Sequence, residues 1–287
     1  MLIDLENKRN NKDEVNAWER VKVSRSSERF KAINIIEQVF DSFVELHGDR
    51  YTGDDNSMVC GIALFGSIPV TVIGQEKGNG IENMKYRQYG MNNPEGYRKS
   101  VRLMKQAEKF NRPVICIIDT PGAYPGISAE EHGQAEAIAR NLQVMMNLRV
   151  PILSFFIGEG GSGGALALGV ANKMIILENA CFSVVSPEGC SSILWKDEKK
   201  AAIAAELLRM TSTDLMKVGI IDEIISEEGT FLDICKEISL CISNILTEFS
   251  ALTEEEIVEQ RKLKFRSFDK KFMDIVEEQI ENLCEEA

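Results

Sequence analysis

Pro151-Ile-Leu-Ser-Phe-Phe-Ile157, Gly158-Glu-Gly-Gly-Ser-Gly-Gly164 and Ala165-Leu-Ala-Leu-Gly169 follow one another without a break. The apolar run reads as a buried strand, the five glycines in seven residues as a turn, and the small residues after them as the start of a helix. Backbone N–H groups stay bare at a helix N-terminus and hold negative charge there. Three motifs overlap in this heptad. It is a G-x-G-x-x-G (Gly158, Gly160, Gly163), a G-x-S-x-G (Gly160, Ser162, Gly164), and a plain oxyanion-binding glycine turn.

Working outward, Pro113 to Asp119 is a second buried strand, delivered into Asp119-Thr-Pro-Gly-Ala-Tyr-Pro-Gly126. Met58 to Phe65 and Ile68 to Ile73, joined by Gly66-Ser67, predict a hairpin. Asn93-Pro94 opens a helix with Asn as N-cap, and Ser128-Ala-Glu-Glu131 reads as a capping box for the next. Strand-like Met174 to Leu177 completes an alternation of four strands and three helices over residues 68 to 177. Such alternation means parallel strands with ligands beyond their C-terminal ends, so both glycine turns face the same side. A further strand is read at Cys181 to Val185, and Ser186-Pro187 is an N-cap with Pro behind it. Helices follow at Ala201 to Met210 and Ser212 to Val218, then strand Ile220 to Ile225, an amphipathic helix from Phe231, and a capping box at Thr253 to Glu256. Near the start, apolar spacing from Lys31 to Leu46 predicts one helix, and residues 1–28 read as a loosely attached arm with a short helical piece around Val15, Trp18 and Val21.

The domain expectation is an N-terminal arm at 1–30, one domain over 31–250 and a helical extension at 251–287. A net charge of −12 excludes a general nucleic-acid binder. The seven cysteines form no C-x-x-C pair and several sit in apolar runs, so buried free thiols are expected, with no metal site. The first residues lack an apolar signal region and no run reaches membrane-span length, which predicts a cytoplasmic protein. One local exception to the acidic balance stands out. Between Lys77 and Arg112 there are nine Lys or Arg against three acids, and Arg98, Arg102, Lys105, Lys109 and Arg112 share a helix face. That face is either a solvated surface or a landing site for a phosphorylated ligand or acidic partner.

The three readings of the heptad ask for different companions. A dinucleotide fold would use Glu178, at the end of the next strand, as its ribose acid, but a crossover helix of about ten residues is short for that unit. A serine hydrolase would use Ser162, yet both histidines, His47 and His132, precede it, against the order Ser, acid, His. The oxyanion turn needs backbone donors alone, which suits a His-poor chain and the stabilisation of an enolate.

Asp119 to Gly126, Gly133-Gln-Ala-Glu-Ala-Ile-Ala-Arg140, Gly158 to Ala165 and Ser186-Pro-Glu-Gly-Cys-Ser-Ser-Ile-Leu-Trp195 together resemble the carboxyltransferase α subunits of bacterial acetyl-CoA carboxylases. The resemblance runs from about Trp18 past Ile225 and includes Gly48-Asp-Arg50 and Pro94-Glu-Gly-Tyr-Arg98. It implies an α/β, crotonase-like superhelix of ββα units with flanking helices, and transfer of a carboxyl group from carboxybiotin on a carrier protein to acetyl-CoA. It also implies an α2β2 assembly with a β subunit, together with biotin carboxyl carrier protein and biotin carboxylase as partners. The zinc of the enzyme would lie in the β subunit. Carried over to this chain, the anion-holding donors are Gly160, Gly161, Gly163 and Gly164, complemented by Gly122 and Ala123. Cofactor contacts fall on Tyr124, Pro125, Gly126, Ser186, Pro187, Glu188 and Gly189. Departures are a short N-terminal region, Gln75-Glu76 where relatives often have His-Gln, and His132 where Arg is usual. A carboxyltransferase for another acyl-CoA is the near alternative, and a dinucleotide-binding oxidoreductase the distant one.

Overall fold

The computed structural model describes residues 16–268. Its elements, in order, are α1 (Ala17–Ser24), α2 (Ala32–Val39), β1 (Ser42–Glu45), β2 (Met58–Phe65), β3 (Ile68–Gln75), α3 (Ile81–Tyr86) and α4 (Pro94–Lys109). Then come β4 (Val114–Thr120), α5 (Ile127–Glu131), α6 (Gln134–Asn147), β5 (Ile152–Gly161), α7 (Ser162–Leu166), β6 (Lys173–Leu177) and β7 (Cys181–Ser183). The chain continues through α8 (Pro187–Trp195), α9 (Ala201–Leu207), α10 (Ser212–Lys217), β8 (Glu223–Ile225), α11 (Phe231–Phe249) and α12 (Glu254–Arg266).

One sheet runs β1-β2-β3-β4-β5-β6-β8. Its first three strands are antiparallel neighbours, and from β3 onward pairing is parallel. Every residue of β4 is buried, as expected of a central parallel strand covered on both faces. Alternation along β4 and β5 sends Ile115, Ile117, Phe155 and Ile157 against Ile35 and Val39 of α2 and Ile238 and Ile242 of α11. Helix α4 lies against β2 and β3, and α6 packs on α4. The strand that positions the site is β5. Its residues 153–156 pair with β6, while Glu159, Gly160 and Gly161 pair with Cys181, Phe182 and Ser183 of β7. One long strand thus serves two neighbours in succession, and its far end projects beyond β6.

Several expectations change. The predicted helix from Lys31 to Leu46 stops at Val39, and Ser42–Glu45 is an edge strand paired with β2. Phe40 and Phe43 keep helical spacing, but sheet pairing satisfies the backbone of this segment, and spacing cannot register that. The Ser128 capping box is not formed either: α5 starts at Ile127 with Gly126 as its cap, breaks at His132, and α6 restarts after Gly133 in the left-handed conformation. Asn93 caps α4 by conformation only, its side chain turning to Gln88 instead. Residues 16–24 are not a loose arm, since α1 buries Ala17 and Val21 against Cys181, Ala205 and Met210. The hairpin, the Ser186 cap and the capping box at Thr253 form as read. Six cysteines are free and buried, and Cys284 lies outside the described residues together with the ends of the predicted arm and extension.

Candidate active site

The glycine heptad is strand as far as Gly161, and the chain turns only at Ser162, whose φ of +49° is left-handed. A non-glycine residue there costs on the order of 1–2 kcal/mol, so the surrounding packing enforces this corner. The packing is visible in the glycines. A Cβ on Gly158 would overlap the Asp119 carboxylate, one on Gly161 the Pro121 carbonyl, and one on Gly164 would stand 2.6 Å from Ala123 N. Hence the two turns touch each other, backbone to backbone. The close approach that these glycines allow is first of all to the chain's own second turn.

The donors divide accordingly. Gly160 sits in the sheet between Thr120 of β4 and Phe182 of β7, and Gly161 pairs with Ser183, so their backbones are engaged in ladders. Gly122 N–H is taken by Thr120 Oγ1 at 3.0 Å, and Tyr124 N–H by Asn92 O at 3.0 Å. No hydrogen bond occupies Ala123 N–H among the described residues, and the N–H groups of Gly163 and Gly164 lie in the first turn of α7, where intrahelical acceptors do not reach. Of the six donors read from sequence, Gly163, Gly164 and Ala123 remain available.

Beside this corner is an open depression, walled by α1 (Val21, Ser24) and Arg25 at its end, Pro121, Glu159 to Ser162, Cys181, Ser183, and Val185 to Pro187. The structure therefore brings Ser186 and Pro187 to the heptad. Glu188 is next to them but is held by Arg25 Nη1 at 2.6 Å, and Gly189 N–H is used by the Ser186 cap. Tyr124, Pro125 and Gly126 are not in this depression; the Tyr124 ring lies over Gly126, where a Cβ would overlap it.

Sequence reasoning missed the charges beneath. Lys77 Nζ lies 2.7 Å from both Asp119 and Glu159, and Arg25 Nε bonds Glu159 at 2.6 Å. Asp119 Oδ1 also accepts the Glu159 N–H, tying the two turns together. Burial alone would raise the Glu159 carboxyl, but Lys77 and Arg25 hold it below its ordinary value. Burial would lower Lys77, and the two carboxylates around it raise it instead. Glu159 and Lys77 are therefore both ionised at neutral pH. The one available signal was the position of Glu159 inside the heptad and of Asp119 at a strand end. The basic face of α4 is mostly spent inside the fold: Arg98 binds Asp49 and Glu95, Arg102 the carbonyls of Gly48 and His47, and Arg112 the Thr71 and Gln106 side chains.

A family model described as acetyl co-enzyme A carboxylase carboxyltransferase-like matches residues 4–269, a span that includes both turns. The chain belongs to this family. Among its relatives is the acetyl-coenzyme A carboxylase carboxyl transferase subunit alpha of Listeria monocytogenes serotype 4b, 53% identical over 255 residues, covering 87% of this chain and 80% of the relative. The Staphylococcus saprophyticus protein of the same name is 51% identical, covering 87% and 81%. Among solved structures, a transcarboxylase 12S core with methylmalonyl-coenzyme A bound shares the fold at a TM-score of 0.64 and 17% identity, covering 83% of this chain but 46% of that one. The chain thus spans about half the length of that neighbour. A Pseudomonas malonate decarboxylase hetero-tetramer in complex with coenzyme A gives 0.62 and 17%, covering 79% and 93%. The α/β fold is that of the crotonase-like carboxyltransferases.

Within this carboxyltransferase family fold, the rival readings of the heptad lose their companions. Glu178 is a structural tie: its carboxylate accepts Glu227 N–H and its carbonyl accepts Arg20 Nη1 and Ser212 Oγ. His47 pairs with Asp54 and His132 with Glu95, so neither histidine is bonded to Ser162. His132 Nδ1 lies 2.7 Å from the Glu95 carboxylate. No group of three His, Cys, Asp or Glu able to hold a metal is found among the described residues.

Proposed function

We propose that this chain is the carboxyltransferase α component of an acetyl-CoA carboxylase, acting at a site that a β subunit completes. Carboxyl transfer to acetyl-CoA is the activity of its family. The observation that carries the reading is the abutment of two glycine turns at strand C-terminal ends, leaving the N–H groups of Gly163, Gly164 and Ala123 without acceptors among the described residues. Preformed backbone donors of this kind stabilise an oxyanion as it develops, and each is worth about 2.7–4 kcal/mol in the transition state.

Carboxybiotin, presented by a separate carrier protein, supplies the carboxyl group, and a coenzyme A thioester accepts it. The depression offers a small polar ring the Ser162 hydroxyl beside the turns, with Ser183 and Ser186, bonded to Val185 O and the Gly189 N–H, next to it. Gly163 and Gly164 hold the negative charge that develops on one partner, and Ala123 assists from the facing turn. Of the three ionisable groups in the wall, Arg25 and Glu159 neutralise each other and burial pushes the Cys181 thiol up to about 12, so no free side-chain base stands there among the described residues. Proton removal from the acyl methyl then falls to the donor rather than to the protein. Glu159 and Asp119, tied to Lys77, set the spacing of the turns. Tyr124 to Gly126 and Ser186 to Gly189 form the rims on either side, where the β subunit and the carrier protein approach. Biotin carboxylase is the partner that recharges the carrier.

The test mixes the purified chain with its β subunit, a carboxybiotin donor and acetyl-CoA. Malonyl-CoA is expected from the mixture only. Its formation by this chain alone would sink the shared site, and a stronger rate with a longer acyl-CoA would reassign the acceptor.

A further inference from the structure

Behind the two turns, on the side of β3 and α4, lies a set of buried amides that the charge cluster does not touch. Gln75, at the end of β3, donates through Nε2 to Gly164 O at 2.8 Å and to Asn92 Oδ1 at 2.8 Å. Gln134, at the start of α6, donates through Nε2 to Asn92 O at 2.9 Å and to Tyr124 O at 3.0 Å. Asn92 O accepts the Tyr124 N–H as well, and Asn92 Nδ2 is anchored on Ser57 Oγ at 2.8 Å. Each glycine turn is therefore held by one glutamine, and the two glutamines meet at Asn92. Gln75 and Asn92 are fully buried and Gln134 is 4% exposed.

The arrangement is poor as a device for stability. Gln75 Oε1, Gln134 Oε1 and the hydroxyl of Tyr97 are buried with no hydrogen-bond partner in the structure. Tyr97 belongs to the same place, because a Cβ on Gly164 would stand 3.0 Å from its hydroxyl. A buried polar atom without a partner costs about 1–3 kcal/mol, and native cores hold few of them. An apolar filling of the same shape would be more stable, so three such atoms behind one pair of turns call for another reason. Each glutamine spends both its donors on carbonyl oxygens whose separation must be right, and Asn92 joins the two. We propose that Gln75, Asn92 and Gln134 are positioning residues, which set the distance and orientation of the Gly164 and Ala123–Tyr124 turns so that their free N–H groups converge on one anion. The inference rests on the function proposed above.

The experiment uses the complex of this chain with its β subunit, and the variants Gln75→Met and Gln134→Met, which keep length and volume but remove the amide. Assembly and thermal unfolding are measured first. With assembly intact, kcat should fall on the order of 10- to 100-fold, as for a misplacement of about 1 Å, while KM for acetyl-CoA stays within about threefold. The fall should be the same from about pH 6 to about pH 9, because none of the three side chains ionises. Amide hydrogen exchange at Ala123 and Gly164 should quicken in the variants. Gln134→Asn, polar but too short to reach both carbonyls, gives the same reading if the methionine variants do not fold. Wild-type kcat in a folded, assembled variant would overturn the positioning role, and so would a loss confined to KM or to melting temperature. A wild-type complex that forms no malonyl-CoA would instead overturn the proposed function.

Discussion

Gly163 and Gly164 are adjacent, share one helical turn and belong to the same motif, yet the structure predicts opposite responses to a single methyl group. A Cβ on Gly164 meets Ala123 N at 2.6 Å, Gly122 C at 2.8 Å and the Tyr97 hydroxyl at 3.0 Å. Two of these are backbone atoms of the facing turn, so Gly164→Ala must push the turns apart by roughly 1 Å, at a cost of about 1–3 kcal/mol. A Cβ on Gly163 meets only methyl groups of Ile138, at 3.8 and 3.9 Å, which is ordinary contact. Its helical conformation suits alanine, so Gly163→Ala should leave stability unchanged or raise it by about 0.4–1 kcal/mol. Catalysis should separate further than stability. Displacing Ala123 from Gly164 by about 1 Å is expected to lower kcat on the order of 100-fold, while Gly163→Ala keeps most of the wild-type rate. Malonyl-CoA formation by each variant assembled with the β subunit, with thermal unfolding alongside, measures both. Equal damage from the two substitutions, or a fully active Gly164→Ala, would refute the idea that turn-to-turn contact builds the site.

Lys77→Met leaves Asp119 buried without its cation and leaves Glu159 with Arg25 alone. The expected loss, read from chemical unfolding, is about 3–5 kcal/mol at neutral pH, and it should shrink on acidification as Glu159, held below its ordinary value by Lys77 and Arg25, is neutralised. Arg25 is a third exposed in its side chain, so Arg25→Ala should cost no more than about 1 kcal/mol. Its effect belongs in the depression it lines, as a raised KM for the carboxybiotin donor, and an unchanged KM would show that α1 is only a cover. The acid limb of stability follows from carboxylates held below their ordinary values: Asp49, Asp54, Glu95, Glu159, Glu188 and Glu227, against Asp55 and Glu76 raised by burial. For a depressed group, the stabilisation is complete above the unfolded value, 4.5 for the glutamates, and disappears as pH falls through the lower folded value. Melting temperature should hold from neutrality to about pH 5 and drop below it; a flat profile to about pH 3 would contradict the assignment.

The alternation of buried strands and helices from residue 68 to 177 was legible in the sequence because it is a local property. Ile115, Ile117 and Phe155 are apolar wherever they stand, and a run of such residues bounded by Gly and Pro has few other uses. The capping chemistry of Ser186 and Thr253 was legible for the same reason, since an N-cap acts within its own first turn. The heptad motif, too, marked the corner where the strand turns into a helix. What it did not show is which glycines keep a free N–H and which pack against the other turn. That division depends on Pro121 and Ala123 arriving beside Gly161 and Gly164, forty residues along the chain, and on Thr120 consuming the Gly122 donor. Lys77, Arg25, Gln75 and Gln134 were invisible as site residues because no local pattern distinguishes a buried Lys or Gln from an exposed one. The edge strand at Ser42–Glu45 defeated the helical spacing of Phe40 and Phe43 because its backbone partners lie in β2. The sequence by itself therefore determined the alternation of buried strands and helices over residues 68–177 and the place of the two glycine turns in it. Only the tertiary structure decided which backbone donors stay free, since a hydrogen bond is consumed by whatever acceptor folding brings within about 3 Å.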